Sequence, residues 1–449
     1  MSIVGYHTTD NDKRSSLIKK NIVASLAIKG WAMLVQILLV PLTLSCLGVY
    51  ENGIWLTIGS VLLWIENLDI GLGNGLRNKL ATYMARGNTT KAREMVSSTF
   101  AMLTAIMLPV MMILLLFEWQ ADNYRLFNVD SSVVSDFDIV LMATTPLVCS
   151  TFILKFIGNF YLGLQLPAIN NLIISGGSTF ALIGTYIVYI SGSHSLLWVA
   201  IAHTLSPLLV YLISYPITFY GKYRHLRPSL KYVNLSAAKE LFSLGFSFFA
   251  LQIAGVILFC SSNFIISHLF SPSMVTPYQI ANRYLVNTMT LFTIICVPFW
   301  TATTDAYERK DYKWIKKSGK TLNTIILGMA LLILLMISCS DFIYNIWIGD
   351  KAEIPFSITI LVGAYHFIII WSTRYSFLLN GIGALRLQLV ITILAAICYI
   401  PLAILASKMT NNINGLLFVM CAINIPGLII NAIQFHKIIS GKANGIWLK

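Results

Sequence analysis

The chain has 449 residues, of which 57% are hydrophobic and 11% charged, with a mean hydropathy of +0.76. An ordinary soluble domain carries about 25% charged residues, so a soluble enzyme is excluded and an all-α polytopic membrane protein is expected. The net charge of +13 does not indicate nucleic acid: a nucleic-acid binder concentrates basic residues on a folded soluble surface, and here they fall in short gaps between apolar runs.

Residues 1–20 are polar and basic through Lys20. The apolar run that follows is too long for a signal-peptide core and has no small-residue cleavage site, so the first span is expected to remain in the protein. A span needs roughly 20 predominantly apolar residues. Twelve such runs follow in order: Asn21 to Ser45, Ile54 to Gly75, Ser97 to Phe117, Ile139 to Leu162, Asn171 to Ile190, Leu196 to Phe219, Leu241 to Phe270, Tyr278 to Thr304, Thr321 to Cys339, Pro355 to Leu379, Leu387 to Ala406, and Gly415 to Phe435.

The basic residues alternate with these runs. Of the 31 lysines and arginines, 24 fall on one side of the array, while the other side holds only Arg125, Lys351 and Lys408. The remaining four, Lys29, Lys155, Arg283 and Arg374, lie within spans. This asymmetry predicts cytoplasmic termini. The longest outer connection, Glu118 to Asp138, is short, so chemistry is expected inside the bilayer rather than on an appended domain.

The two halves resemble each other in the spacing of spans and basic loops. A shift of 223 residues lays Leu47 to Gly53 over Phe270 to Thr276 and Lys29 over Gln252; a shift of 219 lays Lys155 over Arg374. The simplest organisation is a cytoplasmic N-terminus (1–20), a six-helix bundle (21–219), a cytoplasmic linker (220–240), a second six-helix bundle (241–435) and a cytoplasmic C-terminus (436–449). Substrate sites in such repeats lie near the midplane.

Polar residues in the spans are the candidate site. Ser25, Lys29, Ala32, Gln36 and Thr43 form a small and polar stripe in the first span, and Gly245, Gln252, Asn263 and Ser267 form a weaker one in the seventh. Lys29 is about nine residues, or roughly 13 Å, into its span, too deep for easy snorkelling. It either binds an anion in a cavity or pairs with Glu66 or Asp69 in the second span. Arg283, near the outer end of the eighth span, faces either the cavity or the outer headgroups. Lys155 and Arg374 are secondary cationic candidates, six residues from the cytoplasmic end and within snorkelling reach. Arg77 opens the basic loop after the second span.

Glu66 and Asp69 have no acidic counterparts in the second half. They are candidates to carry a coupling proton or sodium ion, since a carboxyl out of water binds a proton more readily; the alternative is neutralisation by Lys29 or Arg77. His203 and His366 read as structural hydrogen-bonding residues. The seven cysteines lie singly, with no C-x-x-C pair, and read as small apolar residues. No metal site or cofactor is expected. There is no G-x-x-x-x-G-K-[ST] loop, nucleophile elbow or H-E-x-x-H motif, and a non-enzyme is expected.

Leu68-Asp69-Ile70-Gly71-Leu72-Gly73-Asn74-Gly75-Leu76-Arg77-Asn78-Lys79, with Ala85-Arg86-Gly87-Asn88 and Lys91-Ala92-Arg93 after it, resembles the second-helix and loop signature of O-antigen (Wzx-type) flippases. These belong to the multidrug, oligosaccharidyl-lipid and polysaccharide exporter superfamily. Leu47-Gly48-Val49-Tyr50-Glu51-Asn52-Gly53-Ile54-Trp55 resembles the first outer turn of the same proteins. The resemblance implies two six-helix bundles around a central cavity, in the bacterial inner membrane. It also implies movement of an undecaprenyl-diphosphate-linked oligosaccharide from the cytoplasmic to the periplasmic leaflet by alternating access.

Related flippases use cationic residues of the first and eighth helices, which here are Lys29 and Arg283; the polar stripes of the spans add Gln36, Gln252 and Asn263 as candidate polar lining. Lysine in place of the more usual arginine loses the bidentate grip on phosphate. The implied partners are the lipid-linked oligosaccharide, membrane lipid and other polysaccharide-assembly proteins. Two alternatives stay open at this point: a drug or cation antiporter of the same superfamily, and a membrane-embedded polysaccharide polymerase.

Overall fold

The computed structural model describes residues 5–66, 72–234, 253–258 and 260–448, with side-chain surroundings in the first helix given from Ala27 to Ile65. Among the described residues the chain is helical, with no strand. A segment in hydrocarbon must satisfy its backbone groups internally, and a helix does so within a single run.

The helices are α1 (Gly5–Glu66), α2 (Leu72–Ala85), α3 (Thr89–Gln120), α4 (Asn123–Phe127), α5 (Phe137–Leu154), α6 (Phe156–Gly163), α7 (Pro167–Ile190) and α8 (Leu196–Phe219). After these come α9 (Ile253–Leu269), α10 (Pro272–Glu308), α11 (Tyr312–Ser338), α12 (Ser340–Ile348), α13 (Phe356–Ile382), α14 (Arg386–Thr410) and α15 (Ile413–Ile439).

Among the described residues ten helices are long and apolar enough to cross a membrane. The first of them breaks at Gly48, whose φ of +66° only glycine adopts freely, so it holds two of the expected spans. With the shorter apolar helix α9, each of the twelve runs has a helical counterpart over its described residues. The protein is a multi-pass membrane protein of the expected all-α class. The expected outer connection is shorter still, because α3 continues through Glu118 to Gln120 and α5 begins at Phe137.

Helix ends follow local chemistry. Asn88 Oδ1 accepts from Lys91 N at 3.0 Å to start α3, and Asp311 Oδ1 accepts from Trp314 N at 3.0 Å to start α11. Gly383, at φ +83°, ends α13 in the left-handed region.

The chain forms two compact units. The first comprises Met1–Gly48, Leu62–Leu126 and Asp130–Phe249; the second comprises Val49–Val61, Phe127–Val129 and Ala250–Lys449. In the first, α7 and α8 approach through small residues: a Cβ on Gly177 would meet Pro207, and one on Gly184 would meet Ala202. An aromatic core follows, with Phe156 and Phe219 stacked at 5.8 Å and Tyr161 Oη 2.8 Å from Thr218 Oγ1.

The expected linker is strapped to α3 over its described part. Arg93 Nε donates to Arg227 O at 3.0 Å and its guanidinium lies 4.1 Å over the Tyr232 ring, while the hydroxyls of Ser97 and Ser98 accept from Ser229 N and Asn234 N.

In the second unit, two short segments from the N-terminal half complete the packing. Asn52 Nδ2 donates to Thr276 Oγ1 at 3.1 Å, and the Thr276 hydroxyl donates to Val49 O at 2.8 Å. Asn128 Nδ2 donates to the carbonyls of Ser267 and Phe270, and Ser267 Oγ donates to Phe127 O at 2.8 Å. Deeper in this unit the buried hydroxyls of Tyr399 and Ser262 lie 2.7 Å apart. All seven cysteines are free; Cys339 and Cys398 are exposed and the other five buried or half-buried.

Candidate functional site

In the first unit, α1 buries a narrow face made by Val35 and Leu39, with Ile28 and Ala32 half-buried above them. Their spacing of 4, 3 and 4 residues is that of one helix face. Hydrogen bonds to α7 flank that face on both sides. Trp31 Nε1 donates to Thr179 Oγ1 at 3.0 Å, and Gln36 Nε2 donates to Ser178 Oγ at 3.4 Å. Lys29 lies one turn and three residues before Gln36, on the same stripe, and is exposed. Thr43 ends the stripe buried, its hydroxyl returned to Leu39 O at 2.7 Å. The stripe therefore opens from a packed end at Thr43 to an accessible cation at Lys29.

In the second unit, Arg283 is half-buried on α10. Gln279 precedes it by one turn, Asn287 follows by one turn, and Thr290 lies almost two turns on. This run of i, i+4, i+8 and i+11 defines one face, half-buried at Gln279 and exposed at Thr290. The face is built from its buried end. Gln279 Nε2 donates to Asn263 Oδ1 at 2.6 Å, and Asn263 Nδ2 donates to Leu56 O at 3.0 Å. On the neighbouring face, Asn282 Oδ1 lies 3.0 Å from His366 Nε2, which is the structural hydrogen bond expected of that histidine. Arg283 thus lies on this face between the bonded Gln279–Asn263 pair and Asn287, whose Nδ2 donates back to Arg283 O at 3.2 Å.

The remaining predicted residues fall as follows. Asn263 is 6% exposed with both ends of its amide engaged, so it orders the α10 face through Gln279. Arg374 is 5% exposed, which corrects the expectation of a side chain snorkelling to headgroups. Lys155 is half-buried at the junction of α5 and α6, and Arg77 is exposed on α2. Asp69, Gln252, Gly245 and the side chains of Glu66 and Ser25 lie outside the described residues, and with them the question of a Lys29–Glu66 or Lys29–Asp69 pair.

Sequence reasoning overlooked Gln279, Asn287 and Thr290, although their spacing about Arg283 was a readable signal. It also overlooked Ser178 and Thr179, which partner the α1 stripe from another helix. Among the described residues no group of three or more His, Cys, Asp or Glu side chains is placed to hold a metal ion.

Comparison with known proteins places this geometry. The solved structure of a multidrug resistance MATE family transporter of the MOP superfamily, in an inward-facing conformation, superposes with a TM-score of 0.76 at 15% identity, over 94% of this chain and 98% of that one. An outward-facing structure of such a transporter gives 0.62 at 15% identity, over 95% and 96%. These likenesses establish the fold. Among curated proteins, the "Putative O-antigen transporter" of Salmonella typhimurium strain LT2 is 21% identical over 376 residues, 81% of this chain and 83% of that protein. The model of one family, described as polysaccharide biosynthesis protein, matches residues 18–300, and the chain belongs to that family.

Proposed function

We propose that the protein is a flippase that carries undecaprenyl-diphosphate-linked O-antigen or related repeat units from the cytoplasmic to the periplasmic leaflet of the bacterial inner membrane. The observation that carries this reading is the conjunction of a polysaccharide-biosynthesis family match with a transporter fold. Lipid-linked polysaccharide units assembled on one face of a membrane need moving to the other, and a transporter fold supplies movement rather than bond-making.

The physical problem is the headgroup. Diphosphate charges and sugar hydroxyls lose their water in hydrocarbon at a cost of many kcal/mol. The isoprenoid tail has no such cost and can stay in lipid. A protein that offers cations and polar side chains along the route lowers the barrier, and alternating access supplies direction without covalent chemistry. Lys29 on the open end of the α1 stripe and Arg283 on the α10 stripe are the residues proposed to neutralise the diphosphate, with Gln36 and Gln252 among the sugar-facing polar groups. Asn263 supports this by fixing Gln279. Glu66 and Asp69 are the proposed carriers of a coupling proton or sodium ion, and other polysaccharide-assembly proteins are the proposed partners.

The test is the leaflet distribution of undecaprenyl-diphosphate oligosaccharide in cells with and without the gene. Accumulation on the cytoplasmic leaflet with loss of surface polysaccharide is expected. An unchanged distribution, with redundant flippases removed, would overturn the reading. A second reading is favoured by the MATE likeness: a drug or cation antiporter, which would confer dye efflux and leave the lipid intermediate unaffected.

A further inference from the structure

In the second unit a cavity of about 310 Å³ opens between the ends of α11, α13 and α15 that carry the basic loops. That is within the range of small-ligand sites, roughly 300–1,000 Å³. Its polar lining is Lys316, Lys320 and Asn323 from α11, Arg374 from α13, and His436 and Ser440 at the end of α15. Among the described residues no carboxylate lines it. Arg374 is 5% exposed, lies 3.9 Å over the Tyr375 ring, and leaves its Nε without a hydrogen-bond partner among the described residues. A buried guanidinium without an acid beside it is costly; among the described residues the cavity that it borders supplies no acid and adds two lysines one turn apart. The chemistry asks for an anion with several oxygens.

The faces leading away from the cavity are apolar. On α11 the Lys316–Lys320–Asn323 face continues at helical spacing as Leu327, Leu331 and Leu334, all exposed. On α15 the exposed Ile425, Ile429 and Ile433 lead in the same way to His436. A soluble anion would use only the cationic end. A phosphate carried on hydrocarbon chains uses both.

We propose that this cavity binds the phosphate headgroup of a membrane lipid, with its chains along the leucine and isoleucine faces. The phosphate sits against Arg374, Lys316 and Lys320, and Asn323, His436 and Ser440 supply further hydrogen bonds. With the basic loops cytoplasmic, the lipid belongs to the inner leaflet. Two sources share this chemistry: a bulk anionic phospholipid, and the phosphorylated isoprenoid that would carry the oligosaccharide.

Native mass spectrometry of the purified full-length chain in detergent, with phosphatidylglycerol, phosphatidylcholine or undecaprenyl phosphate added, separates them. Retention of an anionic lipid over phosphatidylcholine is expected, weakened about tenfold or more in the Lys316→Gln/Lys320→Gln double variant. Those lysines are exposed, so the variant should fold with an unchanged melting temperature; Arg374→Gln is the second variant where it stays monodisperse. Preference for phosphatidylglycerol assigns the bulk lipid, and preference for undecaprenyl phosphate assigns the carrier. Equal retention of all three lipids, or undiminished selectivity in the double variant, would overturn the proposal. Because lipid retention is read without transport, a chain that binds but does not flip would sink only the flippase reading.

Discussion

Asn52 and Thr276, 224 residues apart, hydrogen-bond side chain to side chain at 3.1 Å inside the second unit. They come from the two stretches, Leu47 to Gly53 and Phe270 to Thr276, that a shift of 223 residues lays over each other. The pair is extended by the Thr276 hydroxyl, which in turn donates to Val49 O at 2.8 Å. Both residues are buried. Thr276→Val keeps the shape and removes the hydroxyl, which strands the Asn52 amide and the Val49 carbonyl. The expected loss is about 1–3 kcal/mol, read as a lower melting temperature in detergent, with Thr276→Ser close to wild type. A valine variant as stable as wild type would show the pair to be incidental.

Lys29 and Arg283 are expected to matter for transport rather than for folding, because one is exposed and the other borders an open polar stripe. Lys29→Ala and Arg283→Ala should each lower oligosaccharide flipping about tenfold or more at equal expression, the scale of a lost charge-assisted hydrogen bond. Lys29→Arg should retain function. Arg283→Lys should be intermediate, keeping charge but losing the planar fork. Wild-type flipping by both alanine variants would remove these residues from the mechanism.

The fold was legible because a bilayer admits few solutions. Each apolar run of about twenty residues had to be a helix, and over their described residues the twelve runs return as helices, some with ends set by readable signals such as Asn88, Asp311 and Gly383. The site was legible only in part. Lys29 and Arg283 stand out because charge is rare in spans, but the partners of a polar side chain depend on which helices meet. That is why Asn263 read as cavity lining and is instead bonded to Gln279 and Leu56. Arg374 read as snorkelling because distance along one helix says nothing about the neighbours that bury it. The grouping of Val49–Val61 with the second unit likewise arises from long-range pairs that no local pattern encodes.

Glu66 and Asp69 make the coupling proposal testable. In proteoliposomes, an imposed proton or sodium gradient should stimulate flipping by the wild-type chain. Glu66→Gln or Asp69→Asn should abolish that stimulation while leaving slow, gradient-independent movement, since the neutral side chain no longer binds the ion but still fills the site. Flipping that ignores both gradients in the wild type would exclude an ion carrier at either position.

Gly53 offers the sharpest structural test. A Cβ placed there would run into the backbone carbonyl of Pro272, at the first turn of α10. A carbonyl at a helix start cannot rotate away as a flexible side chain can, so Gly53→Ala must push the two helices apart and loosen Asn52 from Thr276. Overpacking of this kind costs about 1–3 kcal/mol or more, and the variant should lose monodisperse protein or melt well below wild type. Gly59 lies on the same helix with nothing within 4 Å of its Cβ position. Gly59→Ala adds a methyl in open space and improves helix propensity, so it should be neutral or stabilising by up to about 1 kcal/mol. Equal melting temperatures for the two alanine variants would mean that Gly53 and Pro272 are not in contact in the folded protein.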